Sequence, residues 1–236
     1  MAKERQTTEE IRNQMLLGTD GEGWNAWYNA AYWGKVDVMR EIWELAKERL
    51  TTEEIKNEML LRTDRKGRNA WHNAEYLGNA DAMREIWELA KNRLTTEEIK
   101  NEMFLRTDNK GWNAWHIAAF EGKVDVMQEI WELAKEGLTT EEIKNEMLLR
   151  TDGEGRNAWH IAAYSGNVDA MREIWELAKE RLTTEEIKNE MLLRTDGEGK
   201  NVWQLAAYSG KLDIMQWLWE LAKEKLTTEE ININFC

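Results

Sequence analysis

The sequence Leu-Thr-Thr-Glu-Glu-Ile at 50–55 sets the architecture of this chain, because it recurs at a fixed interval of 44 residues. Further copies begin at Leu94, Leu138, Leu182 and Leu226, and a partial copy begins at Thr7. A unit of 44 residues is too small to bury its own core, so neighbouring copies must stack on one another. We number the repeats one to five in chain order: 7–50, 51–94, 95–138, 139–182 and 183–226, with a shortened closing helix at 227–236. We expect them to form one elongated domain, 1–236.

Composition limits the classes of function. The chain is 42% hydrophobic and 33% charged, which is typical of a globular protein rather than a disordered one. Its net charge of −13 argues against nucleic acid and anionic membranes as partners, because both attract basic surfaces. No apolar run is long enough to span a bilayer, and the first residues lack a signal-peptide core, so we expect a cytosolic protein.

Two residue types are unusual in their number. The chain has no proline, which fits an all-helical fold in which no position needs a fixed kink. Its only cysteine, Cys236, cannot form an internal disulfide, and we expect it to be incidental or a labelling handle, with oxidative dimers as the alternative.

Repeat four shows the local pattern. Thr139-Thr140-Glu141-Glu142 has the form of a capping box, which predicts that a helix starts there and fades near Arg150. The residues at 151–155 have turn chemistry. Asn157 suits the N-cap of a short helix, which Gly166 ends.

A longer helix follows the short one. Its apolar residues recur at the spacing i, i+3, i+4 and i+7, as Met171, Ile174, Trp175 and Ala178. This stripe predicts an amphipathic helix that runs to about Arg181. Each repeat therefore contributes three helices.

The middle of repeat four resembles an ankyrin repeat. The resemblance lies in Asp152-x-x-Gly155-x-Asn157-Ala158-Trp159-His160-x-Ala162-Ala163-x-x-Gly166, and it recurs from Asp20, Asp64, Asp108 and Asp196 over about three quarters of the chain. Asn-Ala-Trp-His replaces the family's Thr-Pro-Leu-His, and the unit is about 11 residues longer than usual. The resemblance implies an all-α, ankyrin-like solenoid with an extra helix per repeat.

The repeats are unusually alike. Lys-Asn-Glu-Met follows Ile55, Ile99, Ile143 and Ile187 without change. Such uniformity is typical of a consensus-designed repeat protein or of a recently duplicated natural one, and we favour design.

The chain contains 14 tryptophans, which fall into two groups. Ten recur in register and are expected in the core: Trp27, Trp43, Trp71, Trp87, Trp115, Trp131, Trp159, Trp175, Trp203 and Trp219. Four stand outside the repeat: Trp24, Trp33, Trp112 and Trp217. For Trp217 we expect packing against Phe235, with an end-to-end self-association patch as the alternative.

The deviations from the repeat are concentrated in repeats one to three. In ankyrin proteins the hairpin tips and short helices line the binding face, so the resemblance implies that these residues face a partner. Large aromatic side chains anchor interfaces, and we expect Trp24, Trp33 and Trp112 as anchors with Leu77 as apolar support. The remaining candidates are polar: Arg65, Lys66, Arg68, Asn73, Asn109, Lys110 and Glu121.

The basic hairpin of repeat two has a separate expected role. Arg65, Lys66 and Arg68 would pair with acidic groups of the partner and set its orientation more than its affinity. Neutral variation, or capping of a terminal repeat, is the alternative explanation of the deviations.

Motifs for chemistry are missing. His72, His116 and His160 share one position of the repeat without a converging set of metal ligands, and no phosphate loop, calcium loop or hydrolase motif occurs. We therefore expect no catalysis and no cofactor or metal, and predict a monomeric binding protein with a protein partner. The alternatives are a structural or weakly self-assembling consensus scaffold, a natural ankyrin adaptor, and an enzyme that uses the groove.

Overall fold

The structure, a computed structural model, describes residues 14–235. These residues form helices and turns without a β-strand among them, which confirms the all-α prediction. They group into two compact units: an N-terminal unit that ends at Asn109 and a C-terminal unit that begins at Lys110. Within residues 14–235, no helix combines the length and the apolar character needed to cross a membrane.

Three kinds of helix alternate along the chain, as the repeat predicts. Short helices follow the hairpins: Ala26–Tyr32, Ala70–Tyr76, Ala114–Glu121, Ala158–Ser165 and Val202–Ser209. Long helices come next: Val36–Arg49, Ala80–Lys91, Val124–Gly137, Val168–Arg181 and Leu212–Lys225. Capped helices begin at the Thr-Thr-Glu-Glu motif: Thr52–Ile55, Thr96–Ile99, Thr140–Glu142, Thr184–Glu186 and the closing Thr228–Phe235.

The predicted capping boxes are confirmed. In repeat two the Thr51 hydroxyl accepts a hydrogen bond from the Glu54 backbone N–H, and the Glu54 carboxylate accepts one from the Thr51 backbone N–H. The same reciprocal pair starts the capped helices at Thr95, Thr139 and Thr183. Two donors that the first turn would leave unsatisfied are therefore paired.

Each of the first four capped helices continues as a π-helix, which the sequence did not lead us to expect. The π-helical segments are Lys56–Leu61, Lys100–Leu105, Ile143–Leu149 and Ile187–Leu193. Because a π-helix closes hydrogen bonds five residues apart, residues four and five apart lie on the same face. Ile143, Met147 and Leu148 have this spacing and are all buried.

Tryptophan pairs fill the core of every repeat. The ring centroids of Trp27 and Trp43 lie 5.5 Å apart in the N-terminal unit, and those of Trp159 and Trp175 lie 5.5 Å apart in the C-terminal unit. Eight of the ten in-register tryptophans are buried, as expected. The remaining pair, Trp203 and Trp219 of repeat five, is only half-buried.

Trp217 packs on the same core. Its ring lies edge-on to Trp159 at 5.6 Å and to Trp175 at 6.3 Å. The expected contact with Phe235 lies outside the described residues, because the side chain of Phe235 is not among them. Trp217 is thus a half-buried residue of repeat five that packs on the core of repeat four.

Asparagine and histidine side chains join each repeat to the next within both units. In the N-terminal unit the Asn69 Oδ1 caps the short helix by accepting from the His72 backbone N–H, and its Nδ2 donates to the carbonyl of Glu102 at 2.7 Å. The His72 Nε2 lies 3.0 Å from the carbonyl of Arg106, a distance at which an Nε2–H donates. Both carbonyls belong to the end of a π-helix, where the helix itself offers no donor.

The same pair recurs in the C-terminal unit. Asn113 and His116 reach the carbonyls of Glu146 and Arg150, and Asn157 and His160 reach those of Glu190 and Arg194. In repeat one Tyr28 takes the place of the histidine and donates to the carbonyl of Arg62.

The hairpins also stack through their backbones. In the N-terminal unit the N–H of Asn109 donates to the carbonyl of Lys66 at 2.9 Å. In the C-terminal unit the N–H of Gly153 donates to the carbonyl of Lys110 at 3.1 Å. The hairpin glycines make this approach possible: Gly111 has φ 80°, and a Cβ there would lie 2.9 Å from the amide nitrogen of Gly153.

We expect Gly111→Ala to destabilise the C-terminal unit more than Gly199→Ala. Both glycines have nearly the same φ, 80° and 78°, so both substitutions cost roughly 1–2 kcal/mol of backbone strain. Only Gly111 lies against a neighbouring hairpin, which adds a clash of roughly 1–3 kcal/mol. Urea unfolding of both variants measures the difference. Equal midpoints would show that the close contact between Gly111 and the next hairpin adds no cost to the substitution.

Candidate functional site

One aromatic residue near the end of each short helix forms a series that our sequence analysis missed. Its members recur every 44 residues: Tyr32, Tyr76, Phe120, Tyr164 and Tyr208. Within the N-terminal unit the rings of Tyr32 and Tyr76 stack with centroids 6.0 Å apart, and within the C-terminal unit those of Tyr164 and Tyr208 stack at 5.4 Å. The fixed spacing was the signal that could have revealed it.

A side chain from the hairpin lies on each of these rings. In repeats one and three it is a tryptophan: Trp24 on Tyr32 at 4.8 Å and Trp112 on Phe120 at 4.9 Å. In the other repeats it is a cation, with Arg68, Arg156 and Lys200 centred over Tyr76, Tyr164 and Tyr208 at 5.5, 5.4 and 5.7 Å. Aromatic contact and cation–π attraction therefore alternate at one position of repeats one to four, and repeat five again has a cation.

A buried carboxylate accepts hydrogen bonds from the hairpin side chains of two neighbouring repeats. The Asp64 Oδ2 accepts from the Trp24 Nε1 at 3.1 Å and from the Arg68 Nη2 at 3.0 Å. Burial acts to raise the pKa of Asp64, but the hydrogen bonds and charge of Arg68 and the indole of Trp24 hold that pKa below its usual range. We name the three residues the N-terminal node.

The C-terminal unit repeats this arrangement 88 residues later. The Asp152 Oδ2 accepts from the Trp112 Nε1 at 2.9 Å and from the Arg156 Nη2 at 2.8 Å. Here too burial opposes ionisation of Asp152, and Arg156 and Trp112 lower its pKa below the ordinary value. We name this set the C-terminal node.

The nodes correct several of our expectations about exposure. Trp112 is only 8% exposed and Arg68 is buried, so neither offers the exposed side chain that we expected of a residue facing a partner. The physical reason is the carboxylate, which draws the indole N–H of one repeat and the guanidinium of the next to a single buried point. Trp24 is half-buried for the same reason, and Asn73 is buried, with its Nδ2 3.2 Å from the carbonyl of Asn69.

Other predicted residues of the N-terminal unit do reach solvent. Trp33 follows the short helix Ala26–Tyr32, is 60% exposed, and lies edge-on to Tyr32 at 5.2 Å. Leu77 and Tyr76 are exposed at the matching end of the next short helix. We name Tyr32, Trp33, Tyr76 and Leu77 the apolar shelf.

A basic tip stands on the hairpin of the same unit. Arg65 and Lys66, which we name the basic tip, are both exposed. Asn109 is exposed as well, and its Nδ2 donates to the carbonyl of Arg65 at 3.0 Å. The structure therefore brings Asn109 to the basic tip, as part of the hairpin stack.

The last predicted residues belong to the C-terminal unit. Lys110 is exposed and its Nζ lies 5.1 Å from the centre of the Trp112 ring, so it shields the tryptophan from solvent. Glu121 is half-buried at the end of its short helix, and burial raises its pKa above the ordinary value.

The three histidines contact backbone carbonyls of the following repeat. Each is buried, and burial lowers the pKa of His72, His116 and His160 to about 4. Within residues 14–235, no three side chains of the metal-binding types come together. The histidine ring fits the role of a neutral hydrogen-bond donor between repeats.

Replacing Trp112 by Phe should destabilise the C-terminal unit by roughly 1.5–3 kcal/mol, because the substitution removes a hydrogen bond to a buried carboxylate while it keeps an aromatic ring. Chemical unfolding measures the loss. The same substitution in an Asp152→Asn background is the control, since the effect should shrink when the acceptor no longer carries a charge. An unchanged midpoint in the first variant would exclude the C-terminal node as a source of stability.

Stability should fall as the pH drops from about 6.5 towards 4. The folded histidines stay neutral down to about pH 4, whereas the unfolded chain takes up protons below about 6.5, so acid favours unfolding. At pH 5 we expect a loss of about 2 kcal/mol per histidine. Urea unfolding at pH 7 and pH 5 measures it.

The chain supplies the matched control for this prediction. Gln204 occupies the histidine position in repeat five, where it is exposed, so glutamine is the uncharged residue that the chain itself uses at this position. A variant with His72, His116 and His160 all changed to Gln should lose most of the pH dependence between 7 and 5. If the variant keeps the same pH dependence of stability, groups other than the three histidines are responsible for it.

Neither a protein-family model nor a curated protein matches the chain.

Proposed function

We propose that the chain is a non-catalytic, ankyrin-like repeat protein whose N-terminal unit binds a protein partner on the apolar shelf. The observation that carries this proposal is the exposure of Trp33 on a base of ordered aromatic rings. An exposed indole is unfavourable for solubility, whereas tryptophan is the residue type most enriched at the centres of protein interfaces.

Rigidity favours binding by this shelf. Tyr32 contacts Trp24, Trp33 and Tyr76. Trp24 is itself held by the buried Asp64. A surface whose side chains are already ordered loses little conformational entropy when a partner docks.

The charge of the surroundings favours a partner with an acidic edge. Repeat two, residues 51–94, has equal numbers of basic and acidic side chains, although the whole chain has a net charge of −13. The basic tip is exposed on this repeat, and Arg68 is already neutralised by Asp64. In this hairpin Arg65 and Lys66 are therefore the cations that remain for steering the partner.

The C-terminal unit provides an internal comparison. Where the shelf has Trp33 and Leu77, repeats four and five have Ser165 and Ser209, and where the basic tip stands, repeat four has Gly153 and Glu154. The apolar shelf and the basic tip are thus departures from a polar background. We include in the proposal a consensus-designed origin, which the uniformity of the other positions supports.

A variant built from residues of repeat four tests the function. We expect Trp33→Ser, Leu77→Ser, Arg65→Gly and Lys66→Glu together to weaken binding of selected peptide ligands at least about tenfold, since hot-spot side chains each contribute more than about 1 kcal/mol. Ligands would be selected from a display library of random peptides against the unmodified chain, and affinities measured by fluorescence anisotropy. We expect the selected peptides to combine apolar with acidic residues.

The melting temperature is the control for this variant. It should be unchanged within a few degrees, because all four side chains are exposed. Selected ligands that bind both proteins equally would show that binding uses another surface. A collapsed melt would show that the four side chains are structural, and both outcomes would contradict the proposal.

A further inference from the structure

The two ends of the repeat series expose surfaces that the internal repeats bury. Met15 of repeat one is 74% exposed, whereas its counterparts Met59, Met103, Met147 and Met191 are at most 2% exposed. Val38 is 50% exposed, whereas its counterparts Ala82, Val126, Ala170 and Ile214 are at most 1% exposed. We name Met15 and Val38 the head face.

Repeat five has the complementary exposure. Leu212 is 66% exposed, whereas valine or alanine at this position in the other repeats is half-buried. Tyr208 is exposed beside it, and the core pair of Trp203 and Trp219 is only half-buried. We name Trp203, Tyr208, Leu212 and Trp219 the tail face.

The hairpin backbones show how a further repeat would attach. Within each unit, an N–H of one hairpin donates to a carbonyl of the hairpin before it, as Arg65 donates to Glu22 at 3.1 Å and Gly197 to Glu154 at 2.7 Å. At the matching positions, the N–H of Gly21 and the carbonyl of Glu198 make no such bond with residues 14–235. The head thus offers a donor and the tail offers an acceptor.

Charge is complementary at the same two places. Within the units, the hairpin tryptophan of one repeat reaches the aspartate of the next, as Trp24 reaches Asp64 and Trp112 reaches Asp152, whereas Arg68 and Arg156 bind the aspartate of their own repeat. In repeat five this side chain is the cation of Lys200, and the aspartate that opens the series is the exposed Asp20. A tail placed against a head would bring the ammonium of Lys200, which pairs with Glu198 at 2.5 Å in the single chain, near the carboxylate of Asp20.

We propose that copies of this chain associate head to tail, with the tail face of one copy against the head face of the next in the register that joins neighbouring repeats. The contact is heterologous: it joins two different faces, so a dimer keeps one free head and one free tail to which further copies can add in series. The partner at these ends is a second copy of the chain, because the contact repeats the hydrogen bonds and the apolar burial between its own repeats. This inference uses residues other than the apolar shelf and the basic tip.

Sedimentation velocity on two end-blocked variants tests the proposal. Val38→Glu charges the head face and Leu212→Glu charges the tail face, and both sites are exposed, so folding should be retained. The unmodified 236-residue chain should grow in mean mass through the micromolar to millimolar range. Each variant alone should lose this growth and stay monomeric.

Mixing the two variants gives the sharper result. The first variant keeps its tail and the second keeps its head, so an equimolar mixture should double in mass to one-to-one dimers and grow no further. Three results would overturn the proposal: an unmodified chain that stays monomeric throughout, a single variant that still dimerises, or a mixture that stays monomeric while thermal melts show both variants folded. Growth lost on Trp33→Ser rather than on either end variant would overturn it as well, because association would then use the apolar shelf.

Discussion

The carbonyl groups at the end of each π-helix need hydrogen-bond donors, and the packing of one repeat on the next depends on supplying them. A helix end leaves acceptors without donors, and burying each of them unpaired would cost about 1–3 kcal/mol. Asn69 and His72 supply the donors for Glu102 and Arg106, and the same pairs act in the C-terminal unit. The repeat that precedes a capped helix therefore stabilises the end of that helix.

In the N-terminal and C-terminal nodes, donors from neighbouring repeats pair a buried charge in the same way. Two unlike donors, an indole from one repeat and a guanidinium from the next, satisfy one carboxylate, so Asp64 and Asp152 are ionised although they are buried. Removing one donor leaves a buried charge with fewer partners, which is costly. The alternation of tryptophan and arginine along the first four hairpins is thus a structural pattern, even though tryptophans outside the core register first suggest an interface.

This distinction marks the limit of what the sequence could predict. Capping boxes, N-cap asparagines and the tryptophan core were predictable because they depend on neighbouring residues or on the fixed period. The burial of Trp112 was not, because its partner Asp152 lies 40 residues away in the next repeat. The π-helices were missed because Ile143 and Met147, four residues apart, also fit one face of an α-helix, and the aromatic series was visible in the period but overlooked among the tryptophans.

Two kinds of exposed apolar surface remain, and they differ in their relation to the repeat. Trp33 and Leu77 are exposed because they depart from it, since repeats four and five have serine at their position. Met15 is exposed although it matches the repeat, since methionine at its position is buried in every later repeat. We therefore assign to the first kind the proposed binding of a different protein, and to the second the proposed contact with another copy of the same repeat. The two proposals depend on different residues, so each can be tested without disturbing the other.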